Sequence, residues 1–181
     1  LIYVGAGTSG RLGVLDASEI PPTYGLAPRV VQGVIAGGDR ALRHAVENAE
    51  DDPQAGRLEL TERGLTLGDA VVGISASGQT PFVLGAIEAA VEAGARTIAI
   101  TCDPDSPLAE SVEIAIAPRV GPEVVTGSTR MKGGLVQKMI LSALSTAVMV
   151  RLGRVRGHHM THVSPGSSKL RGRAMRILME L

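Results

Sequence analysis

The sequence predicts an α/β fold, a five-stranded parallel sheet with helices on both faces, of the flavodoxin-like kind. Three observations predict it. Short β-branched runs alternate with helical stretches along most of the chain. The apolar share is 44% while aromatics are only 2%, with no Trp and the single phenylalanine Phe82, so the core must be built from Ala, Val, Ile and Leu, as in strands buried on both faces. Finally, 181 residues suffice for one full domain with a real core but not for two comfortable ones.

In chain order, Leu1–Gly5, Val30–Ala36, Ala70–Ser75, Thr97–Thr101 and Glu113–Ala117 read as strands. Helices are expected at Ser9–Glu19, Arg40–Glu50, Pro81–Ala93 and, briefly, Pro107–Ser111. Strand–helix alternation at this spacing implies right-handed crossovers. A long helix follows from about Met131 to Arg151, carrying apolar residues at Leu135, Met139, Ile140, Leu144 and Val148. Asp39 is placed to cap the helix starting at Arg40, and Gly94 and Gly153 stand where helices end on glycine. Gly56–Leu67 reads as helix plus loop. No internal repeat or low-complexity linker is present.

Composition excludes several function classes. A formal net charge of zero gives no global pull toward nucleic acid or an anionic membrane. One cysteine, Cys102, rules out an internal disulfide framework and fits a reducing compartment; it reads as a small buried apolar residue. No apolar run reaches the roughly 18–20 residues that span a bilayer. Opening on Leu1 inside a strand-like run and stopping at Leu181 in helix-forming sequence, the sequence reads as a fragment. Its basic end (Arg151, Arg154, Arg156, Lys169, Arg171, Arg173 and Arg176) reads as a solvated face plus contacts to a missing segment or partner subunit, since no interleaved aromatics mark a polyanion site.

Two loops carry the chemistry. In an open parallel sheet, ligands sit at the carboxyl ends of strands where the strand order reverses. GAGTSGR, Gly5 to Arg11, follows the first strand, and SASGQT, Ser75 to Thr80, follows the third. The first also fits GxGxxG, but no acid ends the second strand about 20 residues on, as a dinucleotide site requires. Its Thr8 and Ser9 add hydroxyl donors instead. In the second loop Ser75, Ser77 and Thr80 supply three hydroxyls and Gly78 can take positive φ. The helix entered through Pro81 offers N-terminal N–H groups. Alone, either loop could be a plain turn; together on one sheet edge they form an anion cup suited to a phosphate monoester, held without a cluster of basic side chains.

GAGTSGR followed by SASGQT resembles the sugar isomerase (SIS) fold, a three-layer α/β domain. LDASEIPPTYG (Leu15–Gly25), IAGGDRALRHAVENAED (Ile35–Asp51) and GPEVVTGSTRMK (Gly121–Lys132) resemble one branch of it, the N-acetylmuramic acid 6-phosphate etherases, related to the glucokinase regulatory protein. The likeness runs from Leu1 to about Gly157, which places the SIS domain at 1–157 and a C-terminal helical extension of the same domain at 158–181. It implies a cytoplasmic, homodimeric lyase of cell-wall amino-sugar recycling that splits the lactyl ether of N-acetylmuramic acid 6-phosphate without metal or cofactor. No nucleic-acid or membrane partner is implied. By motif, Glu19 falls on the proton donor and Glu50 on the second active-site carboxylate. Gly7, Thr8, Ser9, Ser75, Ser77, Gly78, Gln79 and Thr80 fall on the phosphate loops, and Glu123, Ser128 and Thr129 on substrate contacts.

Each assignment has a plainer counterpart. Glu19 and Glu50 could be surface helix-end glutamates. Arg130 and Lys132 either stabilise negative charge on an open-chain sugar or pair with surface acids. His158, His159 and His162 in HHMTH have i, i+4 spacing but lack the Glu of HExxH and an evident third ligand type. The chain departs from the branch in lacking its flanking helical segments, in Leu135, and in Met160–Leu170, where His162 replaces an acid. Two other functions stay open: a sugar-phosphate isomerase with Glu123 as base, and a non-enzymatic regulator that binds a sugar phosphate.

Overall fold

The protein is described here by a computed structural model, covering residues 1–180. Five strands form one parallel sheet: β1 (Ile2–Gly5), β2 (Gln32–Ile35), β3 (Ala70–Ile74), β4 (Arg96–Ile100) and β5 (Ile114–Ile116), in the order β2-β1-β3-β4-β5. Each falls within a residue or two of its expected position. Residues alternate between faces, as the pleat requires. Ile2 and Val4 join a cluster with Leu60, Val83, Ile87 and Leu108, whereas Tyr3, Val72 and Ile74 join Ala17, Ile20, Leu141 and Met149.

The first cluster lies under α3 (Pro53–Thr61), α4 (Pro81–Glu92) and α5 (Pro107–Glu110), the second under α1 (Gly7–Tyr24) and α6 (Lys132–Arg151). Prolines at the first turns of α3, α4 and α5 suit positions whose N–H is unbonded anyway. Asp52 caps α3 by accepting from Gln54 N and Ala55 N, and Ser106 caps α5 by accepting from Ala109 N. Helix ends at Gly94 and Gly153 fall as expected, both with positive φ.

Four expectations need correction. The helix expected at Arg40–Glu50 is one short turn, α2 (Gly38–Ala41), followed by turns and a 3-10 segment, Ala49–Asp51. The helix is over by Ala41, and Asn48, with φ 61°, keeps a second helical stretch from running on into Glu50. Asp39 consequently caps nothing: Gly37 holds the N-cap position and no side chain bonds there. α1 runs past Glu19 through Pro21 and Pro22 to end on Gly25 in the left-handed region. Lastly, α6 is long and apolar enough by length and composition to cross a membrane, which the sequence reading did not find. In the fold it lays Gly133, Gly134, Gln137, Leu141, Ser145 and Met149 inward. Of the apolar residues expected on it, Ile140, Leu144 and Val148 flank the core, while Leu135 and Met139 are exposed.

Beyond α6 the chain turns at Gly157 into a small hairpin, β6 (Val155–Arg156) with β7 (His159–Met160), so among the described residues after 157 helix begins only at Ser168, in α7 (Ser168–Glu180).

Candidate functional site

Strand order reverses between β1 and β3, so the loops leaving their carboxyl ends splay apart and open a cavity of about 480 Å³. Gly7, Thr8 and Ser9 form one wall and Ser75, Ser77 and Thr80 the opposite one. Ser128, Thr129 and Arg130, from the loop before α6, close a third side, and Glu50 completes the rim. The two Gly/Ser/Thr loops thus share one cup.

The donors differ in how they are held. Ala6, the N-cap of α1, contributes no side-chain bond, so the first-turn N–H groups of Gly7, Thr8 and Ser9 have no intrahelical acceptor. They present the positive end of an 18-residue helix to the cup. Gly5 and Gly10 let helix and strand meet: a Cβ on Gly10 would lie 2.6 Å from Ile35 Cγ1 and 2.7 Å from the Gly5 carbonyl oxygen. In the second loop Ser75 is buried, and its Oγ accepts from Gly78 N at 3.0 Å and shares a proton with Thr80 Oγ1 at 2.8 Å. Ser75 therefore shapes the loop, leaving exposed Ser77 freer to meet a ligand. Gly78 and Gln79 do not line the cup. Gly78 makes the turn with φ 65°, and the Gln79 N–H donates to Ser77 Oγ at 3.3 Å.

The N-terminus of α6 is already occupied. Glu123 Oε2 accepts from Lys132 N and Oε1 from Gly133 N, each at 3.0 Å. These bonds hold its carboxyl below the usual glutamate range. Glu123 lines a neighbouring cavity of about 510 Å³ with Arg119 and Cys102 rather than the cup. Cys102, expected buried, is only partly so because it faces this cavity; the burial it has, with Glu123 nearby, pushes its thiol up. Lys132 Nζ turns away to the Pro122 carbonyl, which leaves Arg130 as the cation at the cup.

The two carboxylates singled out in the sequence are not brought together. Glu50 reaches the cup because the broken helix ahead of α3 folds over the end of β2. Glu19 does not line the cup: it sits twelve residues beyond Gly7 on α1, about 18 Å along the helix, and is 61% exposed, with Lys138 Nζ 3.9 Å away. The histidines divide as well. His158 and His159 bring ligand atoms within 4.8 Å of Glu180, the third ligand type not evident in the sequence, whereas His162 pairs with Thr161 Oγ1. None of them lines the cup.

The sequence reading missed two buried polar groups between α1 and α6. Asp16 accepts from Tyr3 OH at 3.1 Å and from Ser145 Oγ at 3.3 Å. Burial and then the Asp16 charge push the Tyr3 phenol well above its ordinary value. Ser9 Oγ donates to Gln137 Oε1 at 3.0 Å. A polar residue in four-residue register with the apolar Leu141 and Met149, which mark the inward face of α6, is the signal that could have found Gln137.

Comparison with known proteins agrees with this architecture. Residues 1–91 match the family described as glucokinase regulatory protein N-terminal SIS domain, and residues 59–147 match the SIS domain family. Among curated relatives, the N-acetylmuramic acid 6-phosphate etherase of Jannaschia sp. (strain CCS1) is 58% identical over 99% of this chain and 57% of its own length. Those of Brucella anthropi and Actinobacillus pleuropneumoniae serotype 5b are 54% and 53% identical, each over 99% of this chain and 59% of their own. The chain thus spans somewhat over half the length of these relatives. Among solved structures, the sugar isomerase domain of the RpiR transcription factor from Sphaerobacter thermophilus superposes with TM-score 0.51 at 18% identity, covering 85% of this chain and 78% of that one. Phosphoheptose isomerase GmhA from Neisseria gonorrhoeae gives 0.55 at 18%, over 81% and 75%. At such identities the structural likeness speaks to the fold alone; the family match speaks to descent, and by it this chain belongs to the SIS-domain family of the glucokinase regulatory protein type.

Proposed function

We propose that this chain is the sugar-phosphate-binding core of an N-acetylmuramic acid 6-phosphate etherase, a lyase that yields N-acetylglucosamine 6-phosphate and D-lactate. The observation that carries the reading is identity of 53–58% to proteins of that name across nearly the whole chain, joined to a cup with free amides, hydroxyls and one carboxylate. The phosphate rests on the α1 amides with Ser77, Thr80, Ser128 and Thr129. Glu50 faces the sugar.

The chemistry is an elimination followed by hydration. The ring opens to the aldehyde, and Glu50 takes the C2 proton, whose electron pair forms a C2–C3 double bond as the C3–oxygen bond breaks. Glu19 protonates the departing lactate oxygen. Water then adds at C3 and a proton returns to C2, so the sum is substrate plus water to two products. The pair needs opposite protonation states. Since Glu19 lies outside the cup of its own chain, it acts on the cup of a second copy in a homodimer. Exposed Leu15, one turn before Glu19, and exposed Leu135 and Met139 on α6 offer that copy an apolar surface. We assign the protein to cytoplasmic amino-sugar recycling, with residues 1–157 as the binding domain and 158–181 as its extension.

The isomerase alternative is less favoured because Glu123, its required base, has both oxygens committed to backbone N–H donors and a lowered pKa. The test is a coupled D-lactate assay on the full chain. Wild type releases lactate, and Glu50→Gln binds N-acetylglucosamine 6-phosphate but releases none. Aldose–ketose interconversion without lactate would establish the isomerase; binding without any turnover would establish a regulator.

A further inference from the structure

Gln137 is 1% exposed and its Nε2 has no hydrogen-bond partner among the described residues. Its other end, Oε1, accepts the hydroxyl proton of Ser9 at 3.0 Å, and Ser9 lines the cup. In this arrangement Ser9 points its only proton away from any anion in the cup. A half-turn of the carboxamide about its last bond exchanges the two ends. Nε2 then donates to Ser9 Oγ, and the serine proton is released toward the cup. Either orientation leaves one end of the buried amide without a partner, so the protein alone holds the two close in energy. An anion breaks the tie, because only the second orientation lets Ser9 donate to it.

We propose that Gln137 is a positioning residue for the anion cup: it stores the Ser9 proton in the empty site and surrenders it by carboxamide rotation when a phosphorylated ligand binds. The inference rests on the cup being a phosphate site. It assigns to a buried residue on α6 a part in binding that no cup-lining residue can perform alone, and it explains why an apolar helix face carries an amide whose hydrogen-bonding capacity is half unused.

The test uses the full chain with N-acetylglucosamine 6-phosphate as probe, measured by calorimetric titration and by the side-chain amide resonances of Gln137. Ser9→Ala is expected to weaken binding about tenfold. Gln137→Met, similar in volume and unable to hydrogen-bond, weakens it several-fold, and the double variant is no worse than Ser9→Ala, the non-additivity of one linked unit. Gln137→Leu, which offers Ser9 neither a donor nor an acceptor, weakens binding as Gln137→Met does. In the wild type the Gln137 amide resonances shift on saturation, and in Ser9→Ala they do not. The wild-type half of this NMR measurement decides the matter even if the variants fold poorly. Wild-type binding with unmoved Gln137 resonances, or with both Gln137 variants within twofold of wild type, overturns the proposal while leaving the cup intact. Failure of the wild type to bind any phosphosugar overturns both.

Discussion

Replacing Gly78 by alanine tests the geometry of the second loop. Gly78 sits at φ 65°, where a non-glycine residue costs about 1–2 kcal/mol. A Cβ there would also lie 2.1 Å from Ser106 Oγ and 3.0 Å from Thr101 Oγ1. Ser106 is buried, donates to the Asp103 carbonyl at 2.7 Å and caps α5 through Ala109 N. Moving it forfeits the cap, about 1 kcal/mol. The sum, about 2–3 kcal/mol, corresponds to a fall in Tm of about 4–12 °C for a domain this size. Gly7→Ala serves as the control, because Gly7 also has positive φ but its added Cβ meets nothing within 4 Å. It should show the backbone cost of about 1–2 kcal/mol alone. Both melts are read by circular dichroism, with N-acetylglucosamine 6-phosphate titrated into each variant. Gly78→Ala melting at or above Gly7→Ala would refute the argument that this glycine is demanded by collision as well as by φ.

Ser77→Ala should raise KM with only a secondary change in kcat, because a hydroxyl on a remote phosphate binds substrate and transition state alike; steady-state lactate kinetics check it. Tyr3→Phe removes one of the two donors to buried Asp16 and should destabilise by about 1–3 kcal/mol, read by urea denaturation. Glu123→Gln should flatten the acid limb of the stability–pH curve. The folded pKa of Glu123 is lowered, so its contribution is present above the ordinary glutamate value and fades as pH falls toward the depressed one; melts across that window compare the two proteins.

How much of this was legible in the sequence differs by element. The five strands were, because Leu1–Gly5 and Ala70–Ser75 are short β-branched runs bounded by glycine or serine, a pattern set by local sterics. The shared cup was legible through strand order, since loops after neighbouring strands at a reversal must open together. The stretch before Glu50 was not. Arg40–Glu50 has helical composition, yet the helix ends at Ala41 and Asn48 takes left-handed backbone just before Glu50, neither of which composition reveals. That interruption is what carries Glu50 to the cup. The exposure of Leu135 and Met139 was equally illegible, because apolar residues occupy more than one face of α6 and the sequence cannot say which face meets α1. Gln137 carries the opposite lesson, a polar residue within the inward face that reads as an anomaly until Ser9 is seen beside it.

The separation of Glu19 from Glu50 gives the strictest test of a site shared between copies. If each cup joins its own Glu50 to the partner's Glu19, neither Glu19→Gln nor Glu50→Gln alone should release lactate. Mixed and allowed to exchange subunits, the two inactive proteins form heterodimers in which one cup lacks both acids and the other has both. Random pairing makes half the dimers mixed, each with one intact cup of two, so lactate release should return to about a quarter of wild type, as a closed two-fold assembly requires. If both acids served the same chain's cup, every cup in the mixture would lack one of them and no activity would return. A silent mixture, with exchange verified by mass-tagged subunits, would refute the shared site and put Glu19 in its own chain's cup, which the roughly 18 Å that α1 puts between Glu19 and Gly7 allows only with a large rearrangement; lactate from Glu19→Gln alone would take Glu19 out of the mechanism.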